Sequence, residues 1–423
     1  MPSSPSSRSL WRHANFLKLW IGQTVSLFGS GVTQLALPLT AVVTLHASTV
    51  QMGVLNAAQS APFLALSLFA GVWVDRRSPR PTLIAADLGR ALILGSVPVM
   101  AILGALRIEV LYVVGVLAGI LTVFFDIAYY SFPPALIERE QLVEGNSRLS
   151  LTDDIASIAS PGLAGILVQL LTAPIAILAD ALSFLVSVAA LSLIRMPEVV
   201  VTLDRERKNM WREIREGLGV VLGSPYLRPL TACGATHNLT SAMLMALFIL
   251  YLSRQLGMSP ALIGATYVAG SVGSLLGSLT GGRIAAIFGI GPTIARSQLL
   301  TAAAYISFPL AGGSLWTAVA IITAGQFVWG ASRSVYNITQ VSMRQAITPE
   351  HLLGRMTASM RFITWGVGPI GALAGGLLGA SIGIRPTFYI IIAGEVVAAL
   401  WVIFSPLHGL RTLPDESPTE VRA

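Results

Sequence analysis

Asp87, Arg90 and Asp126 lie inside long apolar stretches, where an ionisable side chain is costly and therefore a candidate for function. Asp87 and Arg90 are three residues apart, so a helix would place them on one face. A carboxylate held away from water can bind and release protons near neutral pH. The sequence predicts proton coupling at Asp126 first and at Asp87 second, with Arg90 beside it. A self-neutralising structural pair of Asp87 and Arg90 is the alternative.

Two other acids, Asp180 and Glu395, also occupy apolar stretches. For Asp180 we expect capping or packing at the start of a helix. Glu395 lies in the last apolar stretch, where a structural or lipid-side role competes with a functional one.

Several polar and aromatic side chains are candidates to line a cavity for a large apolar substrate, although core packing or core hydrogen bonding explains each of them equally well. They are Gln34, Tyr129, Tyr130, His237, Asn238, Arg333 and Tyr336. Contact with a substrate anion is one interpretation of Arg333. Pairing with carbonyl groups or extension to the membrane interface are the alternatives for Arg333 and Arg361.

The residue patterns of several other chemistries are missing from the sequence. It contains no Gly-x-x-x-x-Gly-Lys-Ser/Thr phosphate loop, no His/Cys/carboxylate group with metal-ligand spacing and no Gly-x-Ser-x-Gly nucleophile. The single cysteine, Cys233, excludes an intrachain disulfide. We therefore expect no enzyme activity, no ATP-driven transport, no metal and no cofactor, with a proton gradient as the energy source.

Long apolar runs must position these residues. Of the 423 residues, 54% are hydrophobic and 11% are charged, whereas soluble domains average about 25% charged residues. A run of about 20 apolar residues crosses a bilayer as a helix. The runs cover 17–45, 50–74, 82–105, 109–135, 149–172, 174–194, 229–253, 260–287, 292–313, 316–342, 356–381 and 386–408. They predict an all-α membrane protein of about twelve transmembrane helices.

The basic residues predict the orientation in the membrane. With the N-terminus in the cytoplasm, only Arg107, Arg254 and Arg385 of the 27 lysines and arginines fall on the outer side. An even number of spans returns the C-terminus to the cytoplasm. The net charge of +7 then reflects this topology, and we expect no nucleic-acid binding.

An arginine-rich segment divides the runs into two groups of six. The predicted organisation is a cytoplasmic tail at 1–16, a six-helix bundle at 17–194, a cytoplasmic linker at 195–228, a second bundle at 229–408 and a cytoplasmic tail at 409–423. Apolar residues between Met210 and Leu222 recur at helical spacing. This pattern predicts an amphipathic helix in the membrane interface, with a soluble linker helix as the alternative.

Weak matches about 210 residues apart support the division into two halves. Gly71 corresponds to Gly281, Pro81 to Pro292 and Pro161 to Pro369. Together the matches predict two similar bundles, and transporters built from such repeats bind substrate between them near the midplane.

The loop at 71–80 reads GVWVDRRSPR, with Gly71 at the end of a run and Asp75, Arg76 and Arg80 after it. Topology explains the arginines but not the acid. The loop resembles the Gly-x-x-x-Asp-Arg-x-Gly-Arg-Arg/Lys motif of the major facilitator superfamily, departing from it at the second glycine and at one arginine. The resemblance implies two pseudo-symmetric six-helix bundles and a cytoplasmic gate at Gly71, Asp75, Arg76 and Arg80. The corresponding loop of the second half lacks the acid.

Proline and glycine recur at matching places in the two halves. One run contains Pro161, Gly162 and Gly165, and another contains Gly368 and Pro369. Proline removes a helical hydrogen bond, and glycine permits close packing. The first set resembles, in part, the Gly-Pro-x-x-Gly-Gly antiporter signature of the same superfamily. Both sets are candidates for a hinge, with ordinary packing as the alternative.

Segments 19–23, 72–76, 86–90 and 125–129 carry a closer similarity. They are similar to a bacterial branch of the superfamily that holds enterobactin-type siderophore exporters and macrolide or multidrug efflux proteins. The similarity implies a proton-coupled exporter, or antiporter, of amphiphilic small molecules such as drugs or siderophores. It would work by alternating access, as a monomer among the lipids of the bacterial inner membrane. An importer or uniporter of the same fold, and a membrane sensor or assembly protein, are the alternatives.

Overall fold

A computed structural model describes residues 10, 13–74, 78–138, 141–194, 210–349 and 352–411, which form helices joined by short turns. In chain order the helices are α1 (Ala14–Leu39), α2 (Thr49–Val74), α3 (Pro79–Ile102), α4 (Ile108–Ser131), α5 (Pro133–Leu136), α6 (Leu142–Leu171), α7 (Ala173–Ser192), α8 (Met210–Gly223), α9 (Leu227–Leu250), α10 (Pro260–Phe288), α11 (Ile290–Tyr305), α12 (Ser307–Leu310), α13 (Leu315–Ala346), α14 (Leu353–Gly366), α15 (Gly368–Ser381) and α16 (Ile384–Ile403). π-helical turns at Thr40–Thr44 and Tyr251–Gln255 extend α1 and α9.

Ten stretches of the described residues are long and apolar enough to cross a membrane. Two predicted runs are not among them, 50–74 and 292–313. The first coincides with α2, and the second is divided between α11 and α12. That division follows from Pro309, which has no N–H to continue the helix. The helical multi-pass membrane protein is confirmed, and the count of twelve spans stays a prediction.

Unusual backbone conformations recur at the spacing of the sequence repeat. The π-helical turns begin at Thr40 and Tyr251, 211 residues apart. Thr172 has a φ of 95° and Gly383, again 211 residues later, has a φ of 92°. The two halves therefore bend the backbone at corresponding points, which supports the internal repeat.

The chain divides into two compact units. Unit 1 comprises Met1–His46 and Ala58–Asp204, and unit 2 comprises Ala47–Ala57 and Arg205–Ala423. The division after Asp204 falls within the predicted linker, whose residues 195–209 lie outside the described part of the chain. The finer domain bounds stay a prediction.

In unit 1, α7 packs against both α1 and α3, while α6 packs on α1 and α4 on α3. Small residues permit this approach. A Cβ added at Gly22 of α1 would lie 2.7 Å from the Cβ of Ala190, and one added at Gly29 would lie 2.8 Å from a carboxylate oxygen of Asp180. Glycine in α1 therefore leaves room for a buried acid on α7.

In unit 2, α9 packs against α15 and α16, and α13 packs against α10 and α11. Gly273 and Gly277 of α10 lie on the backbone of α13 at Phe327 and Ala331. A Cβ added at Gly277 would lie 3.0 Å from the Cα of Ala331. Small residues thus bring these two backbones together, as is common between membrane helices.

The linker contains the helix α8, at the place where apolar residues recur. Val221 is fully buried, and Glu216 pairs with Arg355 of α14 at 2.6 Å. Unit 2 itself covers Val221, and the predicted position of this helix in the membrane interface stays a prediction.

The two proline motifs lie in different places. Helix α6 is continuous through Pro161. In unit 2 the helix breaks at Val367, so that Gly368 and Pro369 begin α15. Proline suits a first helical turn because its missing N–H has no partner there. A hinge role for either motif stays a prediction.

Candidate functional site

The structure describes two of the four residues of the predicted gate motif. Gly71 lies in the last turn of α2 and Arg80 in the first turn of α3, whereas Asp75 and Arg76 lie outside the described residues. A gate at these four residues stays a prediction.

Arg80 caps the end of α7 inside unit 1. Its Nε donates to the carbonyl of Leu191 at 2.9 Å, and a terminal nitrogen donates to the carbonyl of Ser192 at 2.7 Å. The last carbonyls of a helix have no partner within it and carry partial negative charge. Arg80 thus satisfies two of them.

Asp87 and Arg90 form an ion pair buried in unit 1. Asp87 is 0% exposed and Arg90 6%. The guanidinium carbon of Arg90 lies 4.2 Å from the ring centroid of Phe125 on α4 and 4.2 Å from that of Phe184 on α7. Aromatic faces attract a cation, so two helices help to hold this charge away from water.

Asp180 is a second buried acid of unit 1. It is 1% exposed, and its Oδ1 accepts hydrogen bonds from the hydroxyls of Ser30 at 3.4 Å and Ser183 at 3.2 Å. The expectation that it lies at a helix start is wrong, because α7 begins at Ala173 and Asp180 falls two turns later. Among the described residues, no cation lies within ion-pair distance of it.

Asp126, the first candidate for proton coupling, is exposed. Its neighbour Phe125 is buried, and one step along a helix turns the side chain by about 100°. The argument from burial is therefore wrong for Asp126, while its coupling role stays a prediction. Of the other candidates in unit 1, Tyr129 stacks on Phe125, and Tyr130 and Gln34 are exposed.

In unit 2, Glu395, His237 and Thr240 form a buried hydrogen-bonded group. The Nδ1 of His237 lies 3.0 Å from one carboxylate oxygen of Glu395 and 3.1 Å from the other, and the hydroxyl of Thr240 donates to the latter. Glu395 is 0% exposed. A lipid-side role for Glu395 is therefore wrong: α16 turns it towards α9, where polar partners compensate the lost water.

The other ring nitrogen of His237, Nε2, lies 3.4 Å from a terminal nitrogen of Arg333 on α13. Arginine can only donate hydrogen bonds, so this contact requires Nε2 to accept. The His237 ring thus lies between Arg333 and Glu395 and contacts both.

Arg333 and His237 line a cavity of about 350 Å³ between α9, α13 and α14. Asn238 and Tyr336 line it as well, so four of the seven predicted lining residues share one cavity. Asn238 also donates to the carbonyl of Thr364 at 2.8 Å, which ties α9 to α14. We call this space the arginine cavity, because Arg344 and Arg361 also line it.

Sequence reasoning missed Arg344 as a lining residue and gave Arg361 no cavity role. The helical spacing of the polar residues around Arg344 could have predicted that it lines the cavity. Arg333, Gln340 and Arg344 follow one another at spacings of seven and four, with Asn337 between them, and such spacings mark one helix face. Arg361 belongs to another helix, and neither it nor Arg333 donates to a carbonyl within the described residues.

Comparison with known proteins identifies the family. The transmembrane secretion effector family of the major facilitator superfamily matches residues 5–419. The chain belongs to this family. Its helices are therefore those of a transporter superfamily, and its fit to the family extends over both units.

Several characterised relatives are efflux proteins. The chain is 25% identical to macrolide efflux protein A of Streptococcus pyogenes over 405 residues, which cover 94% of this chain and 97% of the relative. It is 26% identical to the multidrug efflux pump Tap of Mycolicibacterium fortuitum, with coverage of 89% and 92%. It is 27% identical to the enterobactin exporter EntS of Salmonella typhimurium, with coverage of 81% and 80%.

Solved transporter structures share the fold. The nucleoside transporter NupG aligns with a TM-score of 0.75 at 12% identity, over 92% of this chain and 98% of that one. An inward-facing bacterial homologue of the iron transporter ferroportin aligns with a TM-score of 0.74 at 18% identity, over 94% and 99%. At these identities the likeness shows the fold alone.

Proposed function

We propose that this chain is a secondary active transporter that exports amphiphilic small molecules across the bacterial plasma membrane by alternating access, with protons moving inward in exchange. Both termini then lie in the cytoplasm, and the protein works as a monomer without a bound cofactor. The functions of the relatives, which are macrolide, multidrug and enterobactin efflux, support export.

The observation that supports proton coupling most directly is that Asp87, Arg90 and Asp180 are all buried in unit 1, where the charge of Arg90 acts on both acids. With both acids ionised, this group has a net charge of one negative unit. Such a charge is costly inside a membrane protein, and one bound proton removes it. A group that alternates between these two states is what proton-driven transport requires.

Unit 2 lacks such an excess of negative charge among its described buried residues. Glu395 is matched by Arg333 through the His237 ring. We therefore assign the exchangeable proton to unit 1, at Asp180 or Asp87, with Asp126 as a further candidate on the neighbouring helix.

Flux in proteoliposomes tests the proposal. The purified chain is reconstituted, the lumen is made acidic relative to the bath, and uptake of a radiolabelled macrolide and of enterobactin is followed. Antiport predicts uptake while protons leave, and loss of that uptake when a protonophore is added. Uptake only from an acidic bath would indicate symport instead. Absence of flux for these solutes and for a broad drug panel would refute transport.

A further inference from the structure

We propose that the arginine cavity binds the anionic group of an organic acid, and that the solute moved by this transporter carries such a group. This inference rests on the proposed transport function, since it names the substrate class. It concerns a binding site inside unit 2 and does not depend on where the protons pass.

Three arginines from two helices line this cavity. Arg333 and Arg344 lie on α13, and Arg361 lies on α14. Arg344 and Arg361 are close enough for their charges to repel each other. Like charges brought together raise the free energy of the empty site, and a bound anion would lower it.

Within the described residues, an acid of unit 2 compensates only Arg333, through His237, and leaves Arg344 and Arg361 uncompensated. None of the residues that line the cavity is a carboxylate, and none of the three arginines forms an ion pair in that part of the chain. Glu395 is fully buried behind His237, where the imidazole and Thr240 satisfy it. Glu395 reaches the cavity through His237, which lines it, and the contact of His237 with Arg333 uses one of the five N–H donors of Arg333.

The surroundings of the arginines define the kind of acid. Guanidinium forms paired hydrogen bonds with carboxylate and phosphate oxygens. Arg361 lies 5.5 Å from the ring centroid of Trp365, which lines the cavity together with Tyr336 and Met360. These side chains fit a flat apolar body. The volume of about 350 Å³ is at the lower end of ligand cavities, so an oxyanion on one or two rings matches it.

Equilibrium binding to the purified full-length chain in detergent tests this inference. The probes are 2-naphthoate, 2-naphthamide and 2-naphthylmethylammonium, which share one ring system and differ in charge. We expect 2-naphthoate to bind at least about tenfold more tightly than the other two, because charge-assisted hydrogen bonds form only with the anion. Equal binding of the three probes, tighter binding of the cation, or no binding of naphthoate would overturn the inference.

Variants locate the site. R333Q, R344Q and R361Q should each weaken naphthoate binding about tenfold, while R361K should retain part of it. R296Q is the matched control, because Arg296 also belongs to unit 2 and lies 4.5 Å from the ring of Phe288, outside the arginine cavity. Size-exclusion profiles and melting temperatures identify any variant that is misfolded. Naphthoate binding that survives all three glutamine variants would refute the site.

Two further measurements separate the possible failures. The titration is repeated in nanodiscs of phosphatidylcholine with and without phosphatidylglycerol. Unchanged affinity is expected, whereas loss of binding with the anionic lipid would show that a lipid headgroup fills the cavity and would overturn a solute site. Proton-driven flux of a neutral or cationic drug without naphthoate binding would refute this inference and leave the transport proposal standing.

Discussion

Among the described residues, unit 1 encloses two acids and one base, whereas unit 2 encloses one compensated acid and lines a cavity with three arginines. In unit 1 the surplus acid is Asp180, whose partners are hydroxyl groups. In unit 2 the surplus charges are Arg344 and Arg361, whose cavity is open enough to take a ligand. Since the two units repeat the same bends of the backbone, the difference lies in side chains. A surplus acid suits a proton and surplus arginines suit an anion, so the two proposals assign different tasks to two units of one architecture.

The largest effect that we predict follows from Asp180→Asn. This change removes the surplus acid of unit 1, which is one of the two proposed proton sites, and keeps the shape of the side chain. We expect proton-driven uptake in proteoliposomes to fall by about 100-fold, the contribution typical of a positioned proton-transfer group. Solute binding should change little, because the proposed anion site lies in unit 2 and Asp180 lies in unit 1.

Glu109→Gln is the control for this experiment, because Glu109 is an exposed acid of the same unit at the start of α4. It should leave uptake unchanged. R361Q is the converse variant. We expect it to weaken binding of the solute, while the solute that still binds is exchanged for protons as before. If D180N retains full proton-driven uptake, the surplus acid of unit 1 is structural, and the proposed division of tasks fails.

Glu395→Ala tests whether the buried acid of unit 2 stabilises the fold, whereas those of unit 1 are proposed to exchange protons. Removal of one partner from a buried ionic group costs about 3 kcal/mol, so we expect a markedly lower melting temperature in detergent. A double-mutant cycle of E395Q and H237N should give a coupling energy of at least about 1 kcal/mol. Normal stability together with abolished proton coupling would instead place the proton site in unit 2 and reverse the comparison.

The sequence predicts the helices of both units well and the partners of their charges poorly. A helix is the only way for a continuous apolar run to satisfy its backbone in lipid, so runs such as 260–287 lie within two residues of α10. The pairing of Asp87 with Arg90 follows from local spacing. The partners His237 and Glu395 are 158 residues apart, and no local pattern joins them. The exposure of Asp126 likewise depends on which neighbours cover each face of α4.

Replacing a closely packed glycine by alanine should have a smaller effect, on stability, and this effect should differ between the two units. Gly277→Ala in unit 2 places a methyl group against the backbone of α13 at Ala331, where overpacking costs about 1–3 kcal/mol. Gly95→Ala is the matched change in unit 1, where the new Cβ would meet only the Cβ of Ala181 at 3.8 Å. We expect G277A to lower the melting temperature and G95A to leave it unchanged or raise it, because alanine favours helix. Equal effects would show that α10 and α13 can move apart without cost.

The smallest effect concerns the corresponding turns at Thr172 and Gly383, which join α6 to α7 and α15 to α16. Both residues have φ above 90° with ψ near 155–160°, a conformation that only glycine adopts readily and that costs other residues about 1–3 kcal/mol. Thr172 is exposed, so T172G removes strain with little loss of packing. We expect a net stabilisation of about 1 kcal/mol, because the greater chain entropy of glycine offsets part of the gain. Gly383→Thr is the reverse change in unit 2 and should destabilise. If T172G lowers the melting temperature, threonine is not strained at this turn, and the two units tolerate different residues at the same bend.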